Sequence, residues 1–396
     1  MRLALALTAL LAFPALADTD PADWPAVEAA AEGQTVYWHA WGGSTATNDF
    51  IGWIGDRAAQ KGVTLKHVKL ADTADAVGAV LAERQTGWDT DGSVDLIWIN
   101  GANFASMKEA GLLFGPFAES LPNWRFVDTE GKTVTTDFTV PTEGYESPWA
   151  MAQVVFVHDA ARLSDPPRSA EALLDWARAN PGRFTYPQPP DFLGTTFLKQ
   201  TLIELVPDPA VLADPAAGDY DEVTAPLWEY LDELTPLLWR DGRAYPDSGP
   251  RQFQLMNDGE VDLAISFSPG EATAAIANFE LPQTVRTYVL DGGTLGNASF
   301  VAIPYNSSAK EGAMVVADIL LSPAAQLRAQ MPDVLGYGTV LDMERLPRED
   351  RAAFEALDLG IATLSPDDLG PTLPEPHPSW AVRLADDWIR RYGVAQ

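Results

Sequence analysis

Three apolar runs alternating with helix-patterned stretches occupy the first third of the chain, and that alternation leaves few folds open. Val36 to Ala40, Val63 to Leu70 and Val94 to Ile99 read as strands, the last apolar throughout, as in strands covered on both faces. Between them Phe50, Ile51, Ile54 and Ala58 form one helical face, with Asn48 the expected cap and Gly62 the stop. Asp72 or Thr73 is expected to cap a second helix carrying Val77, Val80 and Leu81, stopped at Gly87. Asn103 is expected to cap a third, with Phe104 and Met107 inward and an end near Gly111. Strands and helices in this alternation predict a parallel sheet with right-handed crossovers.

A connection bearing Pro and Gly, Pro141 to Pro148, interrupts the pattern, which restarts with a strand at Val154 to Val157. Ser169 caps a helix carrying Leu173, Leu174 and Ala177, and Asn180-Pro181-Gly182 ends it. Pro207 to Asp221 reads as a surface loop, and Val261 to Phe267, Arg286 to Leu290 and Asn297 to Ile303 as strands. A helix from Ser308 to Leu321 follows. Ser322-Pro323 opens another, with Ser as N-cap and Pro at its favoured first position. A chain of 396 residues, 46% of them hydrophobic, can fill two cores. Two α/β lobes place a ligand site in the crevice at the carboxyl ends of their strands.

The N-terminus stands apart from this pattern. Arg2, the apolar run Leu3 to Leu16 and the small-x-small sequence Ala15-Leu16-Ala17 predict an export leader cleaved before Asp18. The run falls short of the roughly 20 apolar residues of a permanent membrane span. Formal net charge is -30, and -31 once Arg2 leaves with the leader, a field that opposes nucleic acid and anionic lipid. With no cysteine there is no disulfide framework, thiolate metal site or Cys nucleophile, and a lipid anchor is not expected.

Several stretches resemble one family. Tyr37-Trp38-His39-Ala40-Trp41-Gly42-Gly43 and Asp95-Leu96-Ile97-Trp98-Ile99-Asn100 resemble the first and third strands of family 1 extracellular solute-binding proteins, and Met107-Lys108-Glu109-Ala110-Gly111-Leu112-Leu113 resembles their helix exit. Asn257-Asp258-Gly259-Glu260-Val261-Asp262-Leu263-Ala264 and Leu320-Leu321-Ser322-Pro323-Ala324-Ala325-Gln326 continue the match in the family's order. Leu65-Lys66-His67-Val68-Lys69-Leu70-Ala71-Asp72-Thr73 and Gly296-Asn297-Ala298-Ser299-Phe300-Val301-Ala302-Ile303-Pro304 further resemble the YnjB-like subgroup. The resemblance implies an α/β, two-lobed periplasmic binding protein fold of type II, with two crossings and a ligand cleft between the lobes. Residues 18–148 plus 285–330 are expected to form the N-terminal lobe, and 149–284 plus 331–396 the C-terminal lobe. The implied function is the periplasmic component of an ABC importer. It would be a monomer without cofactor that closes on a small polar organic solute and delivers it to permease subunits in the inner membrane. The acidic field slightly favours a cationic or zwitterionic solute.

The same resemblance points to ligand-facing residues. Trp41 ends the first strand, where its ring could stack on a sugar or hold a cation, worth on the order of 0.5–2 kcal/mol, and Gly42 and Gly43 let ligand approach the backbone. Asn100, Gly101 and Asn103 lie where a strand gives way to helix N–H groups. Asp191, Gly194, Thr195 and Thr196 form a polar helix start in the second lobe, and Ser266, Ser268, Asn297, Tyr337 and Trp380 end other elements. Against these stand simpler roles: capping or a turn for Asn103 and Thr195, and core packing with Trp388 for Trp380.

Enzyme motifs are thin. Ser307-Ser308-Ala309-Lys310 matches S-x-x-K without its companion motifs, and capping of the helix that follows accounts for it. His39, His67, His158 and His377 are scattered and no Tyr-Tyr pair occurs, so no metal site is expected. The main rival is a secreted glycan-active hydrolase using Glu143 and Glu146. Their inter-lobe connection makes solvated acids the expectation there. A scaffold or adhesion protein would use the acidic surface and lack a closing cleft.

Overall fold

In the computed structural model, which describes residues 19–216, 219–370 and 372–394, strand and helix alternate as the sequence predicts. The expected leader and its cleavage point before Asp18 lie outside the described residues. Helix α1 (Trp24–Ala31) precedes β1 (Thr35–Trp41), α2 (Thr45–Gln60), β2 (Thr64–Leu70), α3 (Ala74–Gln85), β3 (Leu96–Ile99) and α4 (Ala102–Glu109). β1 pairs in parallel with β2 on one side and β3 on the other. Helix α2 buries Phe50, Ile51, Ile54 and Ala58, the face read from the sequence. Its cap is Ser44, however, whose side chain accepts from Thr47 N–H. Asn48 lies inside the helix and donates to the Gly42 carbonyl at 3.2 Å. At α4 the cap is likewise Gly101 and not Asn103: its φ of +57° is readily adopted by glycine.

A short hairpin, β4 (Thr136–Asp137) and β5 (Val140–Pro141), leads into β6 (Glu146–Gln153). This long strand begins inside the segment expected to be a loop, because Pro148 and a lack of alternation hide it. The second lobe follows: β7 (Val155–Asp159), α5 (Ala170–Ala179), α6 (Phe192–Leu205), α7 (Tyr220–Leu234), α8 (Gly249–Asn257), β8 (Leu263–Ser266), α9 (Glu271–Ala277) and β9 (Val285–Tyr288). There β7 runs between β8 and β9, antiparallel to both. Strand β10 (Thr294–Ala302) returns to the first lobe, which adds α10 (Lys310–Leu321), α11 (Pro323–Gln330) and α12 (Arg348–Glu355). The chain then crosses a third time to α13 (Pro366–Leu369), β11 (Thr372–Leu373) and α14 (Pro378–Tyr392).

Two of the crossings are one antiparallel ribbon. Glu146 of β6 pairs with Ala302 of β10 and Gln153 with Gly296, with a register shift between Ser299 and Phe300. The far end of β10 pairs with β3 and its near end with β11, so Val301 belongs to the first core and Leu295 to the second. Trp149 on β6 is 1% exposed at this seam.

The cores do not divide at the expected boundaries. Leu335, Val340, Leu341, Leu346 and Phe354 pack in the first core, whereas Tyr288 and Leu290 pack in the second and Val285 against Val157 and Ala264 of the same lobe. Residues 285–290 thus go with the second lobe and 335–354 with the first. Alternation along a sequence says that a strand exists, not which sheet needs it. Here β7 needs β9 as its second edge partner.

Candidate functional site

The carboxyl ends of β1, β2 and β3 face the second lobe. Asn100 Nδ2 donates to the Ala298 carbonyl on the crossing strand at 2.6 Å. Opposite them α6 begins at Asp191, whose carboxylate accepts from the N–H groups of Leu193 at 2.8 Å and Gly194 at 3.2 Å. Burial pushes the Asp191 carboxyl up to about 6, and the charges of Asp247 and, from the end of β2, Asp72 add to the shift. The lobes also meet where Lys199 Nζ of α6 lies 4.6 Å from the centre of the Phe138 ring, and where Ser268 Oγ donates to the Leu335 carbonyl at 3.2 Å. Helix α14 rests on α4 as well.

A charged network is buried where the lobes meet. Lys199 Nζ contacts Glu375 Oε2 at 2.6 Å, both side chains being at most 2% exposed, and Asn297 Nδ2 donates to Glu375 Oε1 at 3.0 Å. Asp137 accepts the Gly101 N–H at the head of α4. Burial pushes its carboxyl up to about 8 and Glu375 adds to that, while the Gly101 N–H, Asn100 and Lys199 pull the other way. Glu146 is held well above the usual carboxylate range by burial and then by Asp137, with Lys108 opposing. Both oxygens of Glu146, and Oδ1 of Asp137, lack a hydrogen-bond donor. An unpaired charge is expensive in such surroundings, so the neutral acids prevail when nothing else is near.

The residues expected from the sequence divide into three groups. Some stand at strand ends and helix starts: Trp41 is half-buried and folded so close over Gly43 that a Cβ there would lie 2.4 Å from the ring, and one at Gly42 would lie 2.6 Å from Lys69 Cβ. A Cβ at Gly101 would meet the Phe138 ring at 2.8 Å. Asn103, Thr195 and Thr196 sit in the first turns of α4 and α6, and Tyr337 stands 5.8 Å from Trp149 with its hydroxyl beside Thr47. A second group is committed internally. Ser266 donates to the Ser268 carbonyl at 3.1 Å and to Glu271, Asn297 and Asn100 hold the network, and Gly194 is pressed against the Pro187 carbonyl.

Trp380 forms the third group and corrects the expectation. It is 2% exposed, stacks on Tyr220 at 5.6 Å and donates from Nε1 to the Asp214 carbonyl, which makes it a core residue of the second lobe. Glu146 corrects another: it is buried and not solvated, while Glu143 is exposed and bridges to Lys108 at 2.8 Å. Ser307 and Ser308 do not cap α10, whose cap is Ala309 without a side-chain bond; both instead donate to Asp95, which keeps their role structural. Sequence reasoning missed Asp137, Phe138, Lys199 and Glu375. A readable signal existed for Lys199 alone, a charge set among Phe197, Leu198, Leu202 and Ile203 on a buried helix.

Two α/β lobes hung on antiparallel crossing strands, with strand ends and helix starts meeting in the cleft, define a type II periplasmic binding protein. Solved structures share the fold. One is the periplasmic binding protein AfuA of Actinobacillus pleuropneumoniae, with exogenous fructose-6-phosphate bound (TM-score 0.63, 14% identity, 91% of this chain and 99% of that one). Another is the spermidine/putrescine ABC transporter substrate-binding protein PotD of Streptococcus pneumoniae (TM-score 0.58, 14% identity, 90% and 98%). The chain belongs to the bacterial extracellular solute-binding protein family, whose profile matches residues 53–348. It is 46% identical over 390 residues to Protein YnjB of Escherichia coli (strain K12), covering 98% of each chain. It is thus a solute-binding protein of the ABC-transporter type, a family that is periplasmic in bacteria, binds small molecules and works with ABC permeases. Its relatives are not enzymes, and the hydrolase alternative finds no support.

Proposed function

We propose that this chain captures a small polar organic solute in the periplasm, closes its lobes on it and delivers it as a monomer to the permease of an ABC importer. The observation that carries this reading is the β6–β10 ribbon, which hangs two walls of unlike composition on one bend. Trp41 and Tyr337 belong to the first lobe, and Asp191 and Phe192 to the start of α6 in the second. Ligand that touches both walls has more contacts in the closed form, and that difference is what drives closure. Solution scattering should therefore record a smaller radius of gyration when the solute is added, and no change in shape would contradict capture by closure.

Trp41 supplies one stacking wall in this reading. Trp41→Ala should weaken solute affinity by roughly 1–3 kcal/mol in calorimetric titration and cost less than that in the stability of the ligand-free protein. Intact affinity with about 3–5 kcal/mol of lost stability would make Trp41 a core residue instead. Export with removal of the leader before Asp18 is part of the same proposal. Intact-mass analysis of periplasmic material should find Asp18 first, and soluble protein retaining Met1 would refute the processing step.

A further inference from the structure

This inference rests on the binding reading above and concerns the charge that the cleft accepts. Free N–H groups at helix starts ordinarily receive anions, helped by the helix dipole. At α6 those positions are already filled by the protein's own carboxylate, and at α4 a carboxylate takes the N–H of the cap residue. Asp137 accepts the Gly101 N–H at α4, and Asp191 accepts the N–H groups of Leu193 and Gly194 at α6. A phosphate or carboxylate ligand would have to displace Asp191 at α6, and at α4 it would lie beside the carboxyl of Asp137.

The second observation points the opposite way in sign. Asp137 Oδ1 and both oxygens of Glu146 are buried without a donor, and both side chains have 0% exposure. The cations within reach are committed: Lys199 to Glu375 at 2.6 Å, and Lys108 to the Pro141 carbonyl at 2.5 Å and to Glu143 at 2.8 Å. Ionised carboxylates offer only acceptors, so three such oxygens call for a group that brings both N–H donors and positive charge. The Phe138 ring next to Asp137 already carries the Lys199 ammonium 4.6 Å from its centre, so this corner of the protein is one that accommodates positive charge. We infer that the solute is an organic cation with primary-amine or guanidinium N–H groups, and that its head seats on Asp137 and Glu146 beside Phe138.

Proton balance follows from the same arrangement. The charged groups facing the pair are Lys108 of α4, Lys199 of α6 and Glu375, besides each other. Without ligand, burial keeps the two acids high and predominantly protonated. An arriving ammonium keeps its own proton and stabilises the carboxylate, so the acid proton leaves to solvent as the ion pair forms. The free protein then holds more protons than the complex, and affinity must rise with pH, by up to about tenfold per pH unit for each proton released.

The test uses the mature protein in thermal-shift and calorimetric titrations. The probes are agmatine and 1,4-diaminobutane, choline as a cation without N–H, inorganic phosphate, and the cationic, neutral and anionic fractions of a metabolite extract. An N–H-bearing probe or the cationic fraction should raise Tm, and choline and phosphate should not. Titration in two buffers of different ionisation enthalpy should report proton release. Glu146→Gln and Asp137→Asn should each cost about tenfold or more in affinity, and Glu146→Gln should leave ligand-free Tm equal or higher, since its buried carboxyl has no donor to lose. Should Asp137→Asn fail to fold, Glu146→Gln carries the comparison. Stabilisation by the neutral or anionic fraction alone overturns the inference and leaves the binding reading intact, as does cation binding that ignores Glu146→Gln and releases no proton. Silence from every fraction and probe overturns both.

Discussion

Lys199→Met should lower folding stability by about 3–5 kcal/mol, and adding Glu375→Gln to it should restore most of the loss. The ammonium and the carboxylate are both almost wholly inside the protein, 2.6 Å apart, with Asn297 completing the carboxylate's partners. Removing one charge strands the other in a medium that solvates it poorly. Removing both leaves an amide that can still bond to Asn297 and a thioether of similar length to the lysine stem. Denaturant unfolding of the single and double variants measures the difference directly. A double variant no more stable than Lys199→Met would mean that the two residues are not energetically coupled.

The second large effect belongs to Trp149. Its indole lies 4.8 Å from Trp98 edge-on, 5.9 Å from Phe50 in a stacked arrangement, 5.8 Å from Tyr337 and 6.4 Å from Trp38. Trp149→Ala should cost about 3–5 kcal/mol, since these rings cannot all collapse into the space left. Trp149→Phe should cost far less. The indole Nε1–H has no acceptor, so replacing the ring by benzene gives up packing but no hydrogen bond. Urea unfolding monitored by far-UV circular dichroism distinguishes the two, and near-equal losses would show that ring volume at the seam is not what matters.

Much of the fold was legible because periodicity is local. The alternation from Val36 to Gly111 gives the parallel half of the first sheet, and Ser169 and Ser322 cap the helices that they precede. What was not legible depended on distant partners. β6 is buried along its length by β10, a strand about 150 residues later, so it carries no alternating pattern to betray it. The cleft shows the same limit. Trp41-Gly42-Gly43 announces itself by composition, whereas Asp137 and Glu375 lie in segments without period, and only folding brings them to Gly101 and Lys199. Trp380 was misplaced for the converse reason: an aromatic near the end of a chain looks the same whether it faces solute or core.

Wiring of this kind dictates the order in which the molecule can assemble. β6 has no sheet partner until β10 is made, the first core waits further for Phe354, and the second needs Trp388 close to the last described residue. Neither lobe can therefore complete itself on a growing chain, as consecutive domains do. Completion waits on the insertion of β10 between β3 and β6, which closes loops of about 150 to 200 residues. A polypeptide whose lobes are completed only by late segments is one suited to being threaded through a narrow pore.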